Sequence, residues 1–269
     1  MGTVLHTERV GEADAPFRLA YLHGSFGMGR NWSVIARRVA GQCPQWMGEL
    51  VDLRGHGRSV GMAGPMSMEQ AARDVVQLGV HHGWGRHGVL GHSLGGKVAL
   101  AYAGMRPPGL ERVWVIDSTP EVLEVGDAWR MLPLMRSLPR EFATREAGYA
   151  ALKERGLDDA TAQWLAMNIH RTEEGRYRMV LDPDRLEPLL RDFYDRDLWE
   201  VVEEPPAGVM IHFVRASRQS VMSDGAAERI REIGRRTDQV VLHEVAGGHW
   251  LHVDAPEAVV QVITSSLCG

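Results

Sequence analysis

Gly91-His92-Ser93-Leu94-Gly95 carries the sharpest chemical signal in this chain. A serine between glycines at that spacing fits a tight turn from a strand into a helix, where neighbouring side chains must be almost absent. Such a turn lifts the hydroxyl off the sheet end. It also sets the Leu94 N–H at a helix start, where it can face an oxyanion. A serine hydroxyl is a weak nucleophile and needs a base. Among twelve histidines, His249 stands in Gly247-Gly248-His249-Trp250, with glycines that let it project. His252 is the rival, and reads better as a surface or supporting histidine. A second oxyanion donor is sought in Leu22-His23-Gly24-Ser25-Phe26-Gly27. The Ser25 N–H is the first choice and that of Phe26 the second. His23 is read as shaping this loop through hydrogen bonds. Together these groups would transfer an acyl group to water.

The elements around them must bring three loops to one edge. Strand-like runs at 3–10, 17–24, 45–55, 86–93 and 110–117 alternate with helical runs at 32–40, 67–80 and 94–104. The first two strands are expected to pair. Ser67, with Gln70 three residues on, reads as a helix cap. From Ser118 to about residue 205 no strand alternation is evident. Helical periodicity dominates there, which predicts a helical insertion packed over the sheet. Pro205-Pro206 close it. A strand at 207–216, a helix at 226–235, a strand at 239–247 and a helix at 256–267 complete the chain. The βα alternation predicts an α/β fold with a mostly parallel, doubly wound sheet flanked by helices. In such a sheet His249 falls on the edge that carries Ser93.

Bulk properties exclude several classes. The chain has 269 residues, 44% of them hydrophobic, and a net charge of −5. With no basic block, nucleic acid is not the expected partner. No apolar run of about 18 residues suggests a membrane span, and the first residues do not resemble a signal peptide. The opening Met1-Gly2 lacks the Ser or Thr at position 6 that myristoylation wants, since His6 stands there. A cytoplasmic location is expected from these absences. Cys43 and Cys268 do not read as a disulfide framework or a metal site. No cofactor or metal is expected, and the protein is expected to be a monomer or homodimer.

Taken together, HGSFG at 23–27, DLRGHGRS at 52–59, GHSLGGKVAL at 91–100 and GGHW at 247–250 resemble the α/β-hydrolase fold family over nearly the whole chain. The resemblance implies a core of residues 1–118 and 206–269, with a helical cap, residues 119–205, inserted between strands 6 and 7. It implies Ser93 as nucleophile, His249 as base, and Ser25 and Leu94 as oxyanion donors. DLRGHGRS would be a structural loop, with Asp52 and Arg54 bonded locally. The family usually takes its acid from the loop after the strand that follows the cap. Here the usual position falls near Ser220, which is no carboxylate, and Asp224 comes about four residues late, where it suits a helix start. GHSLGGKVAL, ERVWVIDSTP and DPDRLEPLL resemble a subgroup of esterases and thioesterases of the ABHD11 and YbfF types. That subgroup takes its acid from the strand end before the cap, which implies Asp117, with Asp224 as the alternative.

The implied activity is a carboxylesterase-like serine hydrolase acting on a small-molecule ester or thioester. Carbon–carbon or amide bond hydrolysis, a cofactor-free perhydrolase or haloperoxidase, and a non-catalytic binding module are the alternatives. Apolar cap residues such as Met131, Leu132, Leu134, Met135, Trp164, Leu165, Met167, Phe193, Tyr194 and Trp199 are divided between cap packing and pocket lining. The sequence assigns none of them singly.

Overall fold

A computed structural model describes residues 4–268. Met1-Gly2 and Thr3, the expected start of the first strand, lie outside them. The chain begins with β1 (Thr7–Val10), β2 (Phe17–Leu22), α1 (Ser33–Gln42), β3 (Trp46–Val51) and α2 (Met68–His82). It continues with β4 (His87–His92), α3 (Leu94–Gly104) and β5 (Leu110–Ile116). An insertion follows, made of α4 (Asp127–Arg136), α5 (Arg145–Glu154), α6 (Asp159–Ala166), β6 (Ile169–Arg171), β7 (Tyr177–Met179), α7 (Pro183–Asp195) and α8 (Trp199–Glu203). The sheet then resumes with β8 (Met210–Ala216), α9 (Asp224–Arg236), β9 (Val240–Val245), α10 (Leu251–Asp254) and α11 (Pro256–Leu267).

The main sheet has seven strands in the order β1-β3-β2-β4-β5-β8-β9. All pairings are parallel except that of β1 with β3. The expected pairing of the first two strands is therefore corrected. Both edges of β2 are taken by β3 and β4, which leaves the outer edge of β3 for β1. The helical insertion leaves β5 and returns at β8, the neighbouring strands that take the place of 6 and 7 in the family's count. One feature inside it departs from the sequence reading. β6 and β7 form a short antiparallel hairpin, and three residues per strand are too few to show alternation.

Alternation along the central strands sorts side chains onto two cores. Val89, Val113, Val115, Ile211 and Phe213 face the core under α2, α3, α9 and the insertion. Leu90, Trp114, Ile116 and Val214 face the core under α1 and α11. Local chemistry fixes the helix ends. Ser67 accepts the Gln70 N–H at 3.2 Å, and Gly83, at φ 65°, closes α2. The Gln70 side chain turns to Asp74 (3.0 Å), so Ser67 makes only half of a capping box.

Cys43 and Cys268 overturn the sequence reading. They follow α1 and α11, which pack side by side, and their Cα atoms lie 6.1 Å apart, joined by a disulfide. Sequence spacing concealed this because the two residues are 225 positions apart. Among the described residues, no helix is long and apolar enough to cross a membrane.

Candidate active site

Parallel pairing places the C-terminal ends of β4, β5, β8 and β9 on one edge, and the loops beyond them build the site. Ser93 follows β4 with φ 51° and ψ −115°, a conformation that L-residues hold only when their surroundings force it. The force is steric and local. A side chain on Gly91 would strike the Gly95 backbone, and one on Gly95 would come within 2.6 Å of the Leu22 and His23 carbonyls. Ser93 N–H also bonds the Ile116 carbonyl at 3.0 Å, which ties the turn to β5. Leu94 opens α3, so its N–H belongs to the first turn, where no intrahelical acceptor exists.

Asp117 stands one residue beyond β5, fully buried, with φ 39°. Its N–H bonds the Val214 carbonyl at 2.7 Å. Its carboxylate accepts four bonds: Ala216 N–H at 2.9 Å, Ser220 Oγ at 2.6 Å, Val221 N–H at 3.4 Å and His249 Nδ1 at 2.6 Å. The His249 bond takes Nδ1 and leaves Nε2 for a proton transfer. His92 lies beneath the base. It donates from Nε2 to the His249 carbonyl (2.8 Å), and the two rings are 4.6 Å apart. Burial, followed by the neighbouring His249 and His252, holds His92 well below the usual histidine range. It is therefore a neutral support. His252 is not a surface residue: its ring sits 5.1 Å from Trp32 and 5.0 Å from His92.

The loop after β2 comes against the serine, since a side chain on Gly24 would lie 2.7 Å from His92 Nδ1 and 3.4 Å from Ser93 Cβ. Gly24 to Gly27 form a turn closed by Gly27 N–H to the Gly24 carbonyl (3.0 Å), with Phe26 at φ 62°. Two neutral histidines pin it. His23 donates from Nδ1 to the Gly24 carbonyl (2.8 Å) and accepts Leu53 N–H at Nε2 (3.0 Å). His56 accepts Phe26 N–H at Nε2 (3.1 Å) and donates from Nδ1 to the Arg54 carbonyl (3.0 Å). Burial lowers their pKa values to about 4 and about 3, so both keep an acceptor nitrogen at neutral pH. The Phe26 N–H is thus occupied, while that of Ser25 meets no acceptor among the described residues. Asp52 and Arg54 are bonded locally: Asp52 accepts Gly29 and Arg58 N–H (2.7 and 2.8 Å), and Arg54 pairs with Asp74 (2.7 Å).

Ser93, His249, Asp117, Ser25 and Leu94 thus come to one edge. Asp224 does not. It begins α9, pairs with Arg215, and its side chain is 95% exposed. Sequence reading missed Ser220 as a partner of the carboxylate and His56 as an anchor of the Phe26 peptide. A serine where a carboxylate was sought was the available signal for the first. DLRGHGRS itself contains the second. Lys97, one turn after Ser93, was missed as well. It is buried and donates to the Glu121 and Phe193 carbonyls (2.7 and 2.8 Å), fastening both ends of the insertion to α3. Burial lowers its pKa to about 8.

Comparison with known proteins agrees with this architecture. A 111-residue match, 38% identical, to 2-succinyl-6-hydroxy-2,4-cyclohexadiene-1-carboxylate synthase of Serratia proteamaculans covers 41% of each chain. The sn-1-specific diacylglycerol lipase ABHD11 of Mus musculus is 26% identical over 267 residues, covering 96% of this chain and 82% of that protein. The solved structure of a marine microorganism esterase superposes with a TM-score of 0.82 at 26% identity, covering 97% of this chain and 98% of that one. Relatives include both ABHD11-like and YbfF-like proteins, and the enzyme is of carboxylesterase-like type. The sequence profile described as the alpha/beta hydrolase family matches residues 19–262, from β2 to α11, and to that family this chain belongs.

Proposed function

We propose that the protein is a serine hydrolase that cleaves carboxylic ester or thioester bonds through an acyl-enzyme intermediate. Ser93 Oγ attacks the carbonyl carbon and its proton passes to His249 Nε2. The carbonyl π pair moves onto oxygen, where the Ser25 and Leu94 N–H groups receive the charge. Collapse expels the alkoxide or thiolate, which takes the proton from His249. Water then repeats the sequence on the acyl-serine. Asp117 holds the His249 tautomer and stabilises the imidazolium. Residues 119–205 act as a cap that roofs the site.

The observation that carries this reading is the bond from His249 to the buried Asp117 carboxylate, on the sheet edge that also carries a serine at positive φ. Esterases and lipases among the relatives that match over most of their length favour ester chemistry over the alternatives. A p-nitrophenyl ester series from acetyl to decanoyl tests it. Turnover is expected, together with fluorophosphonate labelling that Ser93→Ala abolishes. Wild-type enzyme that neither turns over nor labels would sink the hydrolase reading.

A further inference from the structure

The insertion touches the two loops that carry the chemistry, and it does so with one short segment. At the end of α6, Trp164 meets the Phe26 ring edge-on, with centroids 6.0 Å apart. The same indole lies 5.3 Å from Trp250, the neighbour of His249. Four residues after Trp164, Asn168 donates from Nδ2 to the Phe26 carbonyl at 2.8 Å. Asn168 is fully buried and its backbone is fixed within the insertion. Its N–H bonds the Leu165 carbonyl and its own carbonyl accepts Val180 N–H, both at 2.9 Å.

Two features show that this amide is more than packing. Phe26 sits at φ 62°, at the third position of the Gly24–Gly27 turn, a place that favours glycine. A bulky residue stays there only if both of its peptide groups are held. His56 holds the N–H from the core, and Asn168 holds the carbonyl from the insertion. The Asn168 Oδ1 is meanwhile buried with no partner, a penalty that an apolar side chain at this site would avoid. What the amide supplies is the 2.8 Å bond to Phe26, beside a longer one, 3.4 Å, to the Leu165 carbonyl that already accepts the Asn168 N–H.

We propose that Asn168 is a positioning residue that makes the oxyanion loop depend on cap closure. With the cap seated, Asn168 and His56 clamp Phe26 and so hold the adjacent Ser25 N–H toward the serine. With the cap lifted, the Phe26 carbonyl loses its donor and the strained turn is free to relax. Oxyanion stabilisation would then be switched on by the closure that encloses substrate. This rests on the reading of Ser25 as an oxyanion donor.

The test uses the full chain, with kcat normalised to sites titrated by a fluorophosphonate. Asn168→Ala and the similarly shaped Asn168→Leu, which has no donor, are compared on p-nitrophenyl butyrate. A loss of about 10- to 100-fold in kcat is expected, with KM within about twofold, in proportion to the cost of one oxyanion donor. Inhibition by a trifluoromethyl ketone, whose adduct carries the oxyanion, should weaken by a similar factor. A merely structural role would lower the titratable fraction and leave kcat per site and ketone affinity unchanged, and that result would overturn the proposal. Ser25→Pro removes the N–H at a turn position where proline is favoured, and Ser25→Ala, which keeps the N–H, is the control for the lost hydroxyl. If Ser25→Pro is impaired and Asn168→Ala adds nothing to it, the two act through one donor, as proposed. Additive losses would place Asn168 elsewhere. Full activity in Ser25→Pro would instead refute the donor reading on which the inference stands.

Discussion

Two neighbouring strand ends offer a carboxylate to His249, and they treat it in opposite ways. Beyond β5, Asp117 is buried and receives two backbone N–H groups, one hydroxyl and the His249 imidazole. Beyond β8, Asp224 lies in solvent at the start of α9, where a negative charge suits the helix N-terminus and Arg215 is its partner. The loop after β8 is not idle. Ser220 and Val221 on it, together with Ala216 at the end of β8, all donate to Asp117. One strand end supplies the carboxylate and the other supplies donors to its oxygens. A buried carboxylate needs its hydrogen bonds as much as its position, because polar atoms removed from water are costly when left without partners.

The largest effect should come from breaking the comparison outright. Asp117→Asn keeps the shape and removes the acceptor that fixes the His249 tautomer, so kcat for p-nitrophenyl butyrate should fall by roughly 10⁴-fold. If Asp117→Asn retains more than about a tenth of wild-type kcat, the β5 end is not the acid. A smaller but sharper effect tests whether the two strand ends are interchangeable. Ser220 Oγ lies 2.6 Å from the Asp117 carboxylate, so Asp117→Asn/Ser220→Asp puts a charge within reach of the same imidazole. The double variant should recover at least about tenfold over Asp117→Asn alone. No recovery would mean that the loop after β8 is built only to donate.

How much of this was legible in the sequence follows from what each feature depends on. GHSLG, GGHW and HGSFG are local: strand, turn and helix follow one another within a dozen residues, and the glycines state where backbone must pass close to backbone. The sheet, its helices and the insertion are equally local, being set by periodicity. Tertiary accidents of packing were not legible. β1 pairs with β3 because β2 has no free edge. Cys43 meets Cys268 because α1 and α11 share a sheet face. Asn168 reaches Phe26 across 142 residues, and no spacing announces it. Asp117 itself was reached through a resemblance, since a carboxylate at a strand end has no local signature. Its buried hydrogen bonds are what distinguish it from Asp224.

Ser220→Ala probes the donors without touching the charge. It removes one hydroxyl bond to a carboxylate, an interaction worth roughly 1.5–3 kcal/mol, while the Ala216 and Val221 N–H groups remain. Part of that loss should appear as a fall of about three- to tenfold in kcat/KM. Thermal unfolding should also come lower, because Ser220 accepts Met222 N–H at 3.1 Å and helps to order the loop. An unchanged kcat/KM would show that the backbone donors alone hold Asp117 in place.

The smallest effect belongs to Asp224→Asn, and its smallness is the point. The substitution removes an exposed ion pair with Arg215 and a charge in the first turn of α9, while the Ser223 side chain still caps that helix by accepting Ala226 N–H at 3.0 Å. Both losses are weak at a solvated site, and Arg215 keeps Glu244 within 3.7 Å. The melting temperature should move by no more than about 2 °C, and kcat on p-nitrophenyl butyrate should stay within about twofold of wild type. A drop in kcat beyond about a hundredfold, with unfolding unchanged, would reverse the comparison. It would require the loop after β8 to rearrange in the working enzyme and carry Asp224 inward to His249.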